Sequence, residues 1–382
     1  MTQQSFFLGE DQRIFRDSLA RWLAEHWSLL ERRRLMATDP GYSREAWAGL
    51  AEMGVLGAFL PERAGGAGGG GPELMVAMEG FGRALFASPY LWTVALAAPL
   101  LVAGGKAGDD LLARIAAGKA IASVATTEAQ SRYDLHHVET RARRAGAGYA
   151  ISGAKQAVPY GAAADFLVVP ARTSGDQRDR DGISLFLVPA GARGLALKSF
   201  ATADGLRAAD LTLRDVEVGA EALLGPLGRA LEPLQRAVDL AMLAQAAEAV
   251  GAMRNLLDST VAYAKARQQF GVAIGSFQAL QHRMVDMFAA TEMAASHVQA
   301  ALAGVGGPED PVDPRTAVMV KLQVDRAARL VGQEAVQIHG GMGMTDDLDV
   351  GHHFKRLTMM ALTFADQGKL DERYRALQTS SS

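Results

Sequence analysis

Residues 263–287, YAKARQQFGVAIGSFQALQHRMVDM, read together with 337–344, QIHGGMGM, decide the reading of this chain. The first stretch predicts an amphipathic helix that continues past Arg267 and ends at Gly271. A second helix is expected after the break at Gly275-Ser276. The second stretch sets a Gly340-Gly341 turn at the end of another apolar helix.

Outward from these segments, the chain divides by composition. Residues 1–117 read as an N-terminal α-helical domain, with Phe15, Leu19, Trp22 and Leu23 on one side of a helix. The run AGGAGGGG at 64–71 is a loop. Pro72 and Glu73 suit the first turn of the helix that follows. No Lys-Ser/Thr pair follows the glycines, which argues against a phosphate loop. Residues 118–225 read as a central β-domain. Its β-prone runs are Ile121 to Thr127, Tyr149 to Ser152, Phe166 to Val169, Ile183 to Val188 and Leu211 to Val218. Gly146-Ala147-Gly148 and the polar stretch Thr173 to Gly182 supply turns. Residues 226–382 return to a helical pattern rich in small side chains and read as a C-terminal four-helix bundle. The fold class is α+β. The tail, Gln378 to Ser382, reads as frayed.

Composition narrows the function. The 382 residues carry 39 basic and 42 acidic side chains, a formal charge of -3, which gives no electrostatic reason to expect nucleic acid. With no cysteine there is no disulfide and no thiolate nucleophile. No apolar run reaches the roughly 18 residues of a membrane span, and the opening segment has no signal-peptide pattern. A cytoplasmic enzyme is the expectation.

The order helix–sheet–helix, with Leu60-Pro61-Glu62 and Gly65-Gly66 in the first part, resembles the acyl-CoA dehydrogenase family over almost the whole chain. The resemblance implies FAD as cofactor and a tetramer built by the bundle. Arg267, Gln269 and Phe270 match the family's Arg-x-Gln-Phe-Gly motif, which reaches the FAD of a neighbouring subunit. A guanidinium fork suits pyrophosphate, and an aromatic ring suits adenine. Gln278 matches a further FAD contact. Gln337, Gly340 and Gly341 match a turn where the missing side chains admit the cofactor. Thr126 and Thr127 match the strand end that hydrogen-bonds the flavin pyrimidine. Elsewhere the chain departs from the family. Ala129-Gln130-Ser131-Arg132-Tyr133 replaces Pro-Gly-Ala-Gly-Ser, Ala157 stands for a tryptophan, and Pro159 stands for a threonine. Gly153-Ala154-Lys155 keeps the family's Gly-x-Lys.

The implied reaction removes an α-proton from an acyl-CoA thioester and passes a hydride from the β-carbon to FAD N5. Electrons then go to an electron-transferring flavoprotein, in fatty acid or lipid metabolism. The proton needs a carboxylate. At the family's two positions for it this chain has Ala365 and Ala241. Asp366 is the candidate base, weighed against a helix-capping role. Asp239 is a weaker candidate. Two alternatives stay open: a base-less FAD-binding subunit paired with a catalytic paralogue in a heterotetramer, rather than a homotetramer, or a flavin oxidase of the same fold. No metal is expected. His352-His353 and the acidic Asp346, Asp347 and Asp349 lack ligand spacing and read as solvated surface. The small Ala157, Ala241 and Ala244 suggest room beside the flavin.

Overall fold

The computed structural model describes residues 8–379. The last three residues of the tail read as frayed lie outside them, while Gln378 and Thr379 close the final helix. Three of the helices in the first part start where the sequence supplies a side-chain acceptor. Helix α1 (Glu10–His26) turns Leu19 and Leu23 inward. In α2 (Leu29–Met36) and α3 (Arg44–Glu52), Ser28 and Ser43 accept a backbone N–H from the first turn. Helix α4 (Gly71–Ala84) carries Pro72 and Glu73 in its first turn, and the Glu73 carboxylate accepts the Gly70 N–H at 2.8 Å. A buried wide turn, Leu91–Ala97, leads into α5 (Ala98–Val102) and α6 (Gly105–Ala116).

The sheet follows. Its strands are β1 (Ala122–Val124), β2 (Arg141–Ala145), β3 (Gly148–Pro159), β4 (Phe166–Arg172), β5 (Ile183–Pro189), β6 (Leu195–Ala201), β7 (Arg207–Val218) and β8 (Leu223–Leu224). The order is β6-β7-β3-β2-β4-β5-β8, with β1 parallel to β4. Strands β2 and β6 were not visible in the sequence: RARRA has no apolar alternation, and β6 is only half covered. The β3–β7 ladder slips register between Lys155 and Val158. That bulge holds Ala157 at φ 50°.

Helices α7 (Leu231–Ala266), α8 (Gln278–Leu302), α9 (Pro314–His339), α10 (Asp349–Met360) and α11 (Gln367–Thr379) complete the fold. Small side chains let α7 lie close to its neighbours: a Cβ on Gly251 or Gly82 would collide with backbone of the facing helix. The break after α7 differs from the expected helix running to Gly271. Helix α7 stops at Ala266, and β9 (Gln268–Gln269) pairs antiparallel with β10 (Val272–Ala273). The two turn residues, Phe270 and Gly271, both take positive φ (53° and 80°), the geometry a two-residue hairpin demands.

His352 and His353 are buried, which corrects their reading as solvated surface. Helix α10 packs against α7 and α9, and His353 Nε2 lies 2.8 Å from the Asn255 amide. Burial pushes His353 down to about 3, so it is neutral. Asp346 and Asp347 are exposed, as read, whereas Asp349 is half-buried and accepts the Asn255 amide N–H at 2.7 Å. No helix among the described residues is long and apolar enough to cross a membrane.

Candidate functional site

Where the sheet meets the helices a cleft of about 400 Å³ opens. One wall is the sheet: Thr126 and Thr127 just beyond β1, then Ala157, Pro159 and Tyr160 at the end of β3. The other is Val238 of α7 with Arg356, Met359, Leu362, Thr363 and Phe364 in and after α10. Trp92, the loop Ser131–Leu135 and the β6–β7 turn, from Thr202 to Ala208, also line it. Four lining residues, Arg132, Ala157, Tyr160 and Phe364, hold positive φ without being glycine. Backbone strain of this kind persists where surrounding structure over-determines it, and it concentrates at functional sites.

Thr126 and Thr127 leave both their hydroxyls and their backbone N–H groups without a protein partner among the described residues. The next residue fixes them in place. Glu128 is buried against Lys155, with a carboxylate oxygen 2.7 Å from Nζ, and it also accepts the N–H groups of Glu139 and Thr140. Burial pushes the Glu128 carboxyl up, but the Lys155 charge and the hydrogen bonds outweigh it and hold it at about 2. Lys155 and Glu128 belong to two separate motif matches; their pairing was not legible from either.

At the cleft floor Arg356 is buried. Its guanidinium donates to both Glu248 oxygens at 2.8 Å and to Asp204 at 2.9 Å. Arg32 of α2 donates to the carbonyls of Asp204 and Leu85. The Tyr160 hydroxyl is buried beside this group without a hydrogen bond. None of these residues was legible beforehand, because each is a lone polar side chain whose partner lies in a distant segment.

The carboxylates sit as follows. Ala365, Ala241 and Ala244 are buried, and none of them lines the cleft, whereas Ala157 does. Asp366 does not line it either. Its carboxylate accepts the Lys369 N–H at 2.9 Å, and its carbonyl accepts the Leu370 N–H, so it caps α11. Asp239 faces α11, where Arg373 binds both its oxygens at 2.6 Å. The acids that do line the cleft, Asp204 and Asp134, are each ion-paired, the second to Lys369 at 2.6 Å.

The remaining sequence-matched residues gather at the other end of the bundle. Arg267 closes α7 and Gly340 closes α9, and the two ends are held together by Tyr263 stacked on His339 with ring centroids 4.4 Å apart. Arg267, Gln269, Gln278, Gln337, Gly340 and Gly341 are exposed, and Phe270 is 92% exposed. A Cβ at Gly340 or Gly341 would meet nothing in this chain. None of these residues lines the cleft. No cluster of metal-ligating side chains occurs among the described residues.

A helical domain, an eight-stranded sheet and a helical bundle follow one another along the chain, with the cleft between sheet and helices, which makes this an α+β protein of three parts. Family models match in the same order: acyl-CoA dehydrogenase N-terminal domain over residues 9–132, middle domain over 123–216 and C-terminal domain over 233–364. The chain belongs to the acyl-CoA dehydrogenase family. It is 30% identical over 348 residues to the acyl-CoA dehydrogenase IpdE2 of Mycobacterium tuberculosis, covering 91% of each chain. It is 28% identical over 356 residues to the caffeyl-CoA reductase-Etf complex subunit CarC of Acetobacterium woodii, covering 91% of this chain and 93% of the relative. Among solved structures, a variant of the Tcur3481-Tcur3483 steroid ACAD superposes with a TM-score of 0.86 at 29% identity, over 98% of this chain and 99% of the other.

Proposed function

We propose that this chain is an FAD-binding subunit of an acyl-CoA dehydrogenase that oxidises an acyl thioester across its α,β bond and hands the electrons to an electron-transferring flavoprotein. The observation that carries this reading is the pair Thr126-Thr127, whose N–H and O–H groups face the cleft with no protein partner. Such donors fit the pyrimidine edge of a flavin and stabilise negative charge gathering there. FAD, when bound, supplies the hydride acceptor. The chain's own residues orient it. Glu128 and Lys155 fix the strand end, and Val238, Met359 and Phe364 wall the cleft against water. At the far end of the bundle, Arg267, Gln269, Phe270, Gln278, Gln337, Gly340 and Gly341 form an outward-facing surface suited to the dinucleotide half of a cofactor held by a second subunit. Exposed Val285, Phe288 and Met293 on α8 and Met319 and Leu330 on α9 support a tetramer built through this bundle. The Etf-complex relative supports the electron acceptor.

A specific observation favours a heteromeric form of this reading. Asp366 is engaged as a cap and both cleft carboxylates are paired, while the resemblance puts Ala365 and Ala241 at the two family positions for the base. The proton acceptor then comes from a paralogous subunit, and this chain completes the cofactor site. Anaerobic mixing with a panel of acyl-CoAs tests the reading. Flavin bleaching in the paired complex, and little in the chain alone, is expected. Bleaching in neither preparation would overturn it. Rapid reoxidation by oxygen without an acceptor protein would point instead to a flavin oxidase.

A further inference from the structure

Two walls of the cleft are joined to each other by side chains. On one side the loop Ser131–Leu135 lines it, and on the other Leu362, Thr363 and Phe364 do. The Tyr133 hydroxyl spans the two and donates to the Leu362 carbonyl at 3.1 Å. One residue further on, Asp134 pairs with Lys369 of α11 at 2.6 Å. These contacts fall in and beside the stretch 129–133, where the chain departs from the family pattern.

Both sides are short spans hung between firm anchors. Ser131 is buried, and it exchanges hydrogen bonds with the backbone of Glu128, itself held by Lys155. At the far end of the loop, buried Arg172 donates to the carbonyls of His136 and Val138 at 2.8 and 3.2 Å. The opposite span starts at Met360, whose carbonyl accepts from buried Lys321 at 2.9 Å, and ends at Asp366, the cap of α11. Between the loop anchors, the backbone of residues 132–135 is held among the described residues by two bonds inside the loop: the Asp134 N–H donates to Ser131, and the His137 N–H donates to Asp134. Each span carries a non-glycine residue at positive φ close to the bridge, Arg132 at 46° and Phe364 at 67°. Such strain collects at switch segments, and hinges are a few loop positions that absorb a large φ/ψ change.

The bridge is weak where its anchors are strong. It consists of one neutral hydrogen bond and one ion pair whose side chains are 32% and 29% exposed, and each kind of contact contributes little against water. Lys369 also shares its charge with Glu372 at 3.2 Å, and the Asp366 carboxylate bears on Tyr133 as a further negative charge. Resting on the thioester reading above, we infer that residues 132–135 are a strap across the cleft, which swings about Arg132 to admit the acyl group and closes over it through Tyr133 and Asp134.

The test uses the purified flavin-loaded assembly and hex-2-enoyl-CoA, a thioester already unsaturated at its α,β bond, so that binding is followed by stopped-flow flavin absorbance without turnover. Tyr133→Phe removes the hydroxyl and keeps the ring. It should raise the association and dissociation rates together by about fivefold, the factor one neutral hydrogen bond carries, so that Kd stays constant. Lys369→Met should shift both rates in the same direction. Without ligand, the Asp134 and His137 amides should exchange about fivefold faster in Tyr133→Phe than in wild type, at an unchanged thermal midpoint. Rates untouched in both variants overturn the inference. So does a weaker Kd carried by dissociation alone, which would make Tyr133 a ligand contact rather than part of a strap. No binding to wild type sinks the thioester reading, and ligand-free exchange then decides the strap: faster in Tyr133→Phe upholds it, unchanged overturns it.

Discussion

Asp366 caps α11 through an acceptor oxygen, and asparagine at an N-cap accepts the same bond. Asp366→Asn should therefore leave the thermal midpoint of the protein unchanged, while Asp366→Ala should cost about 1 kcal/mol. Flavin reduction in the paired complex should change less than about threefold in Asp366→Asn. A loss of about 10²-fold or more would make Asp366 the general base after all. Glu128 yields a second expectation. Its carboxyl is held at about 2 against an ordinary 4.5, so the stabilisation from the Lys155 pair is whole above pH 4.5 and is lost as pH falls toward 2. In an acid-unfolding series, Glu128→Gln should flatten that dependence. It should also cost about 3–5 kcal/mol at neutral pH by leaving Lys155 buried and unpaired. A variant as stable as wild type at pH 7 would remove the pair from its anchoring role. The sequence offered Lys155 and Glu128 in two separate motif matches but not their pairing. A buried ion pair joins positions whose spacing, 128 and 155, carries no period.

At the scale of elements, caps and periodicity were readable, and departures from them were not. The Pro72-Glu73 start of α4 and the apolar face of α1 were read from local rules, whereas the Ser28 and Ser43 caps, which obey the same rule, were not singled out. The β9–β10 hairpin follows none. Gln268-Gln269 and Val272-Ala273 carry no alternation, and Phe270 is a rare residue at positive φ. Helix α11 also hangs on a partner invisible in sequence, since Arg373 holds buried Asp239 of α7 with both nitrogens. Arg373→Met should strand that carboxylate and cost about 3 kcal/mol or more. Amide exchange should show residues 367–379 opening before the rest of the bundle. Protection of that helix as strong as in wild type would contradict the pairing's role.

Over the whole molecule, one buried cluster joins the three parts of the chain around the cleft. Arg32 comes from the first helices, Asp204 from the β6–β7 turn, Glu248 from α7 and Arg356 from α10. Domain order was legible from composition and motifs, whereas this convergence of residues 32, 204, 248 and 356 was not. Arg356→Met leaves two buried acids without their cation, so it should cost about 3–5 kcal/mol and loosen the cleft. Calorimetry should then show the single unfolding transition of the wild type split or broadened, and an unaltered single transition would mean the cluster does not couple the parts. The central claim is that the surface around Arg267, Phe270 and Gly340-Gly341 completes an FAD site across subunits. Its most direct test is the flavin-to-subunit ratio of the purified assembly, measured for wild type and for Arg267→Ala. The account predicts a yellow multimer that loses most of its flavin in Arg267→Ala while keeping its mass. A colourless wild-type assembly with and without a co-expressed paralogue, or flavin content untouched by Arg267→Ala, would contradict it.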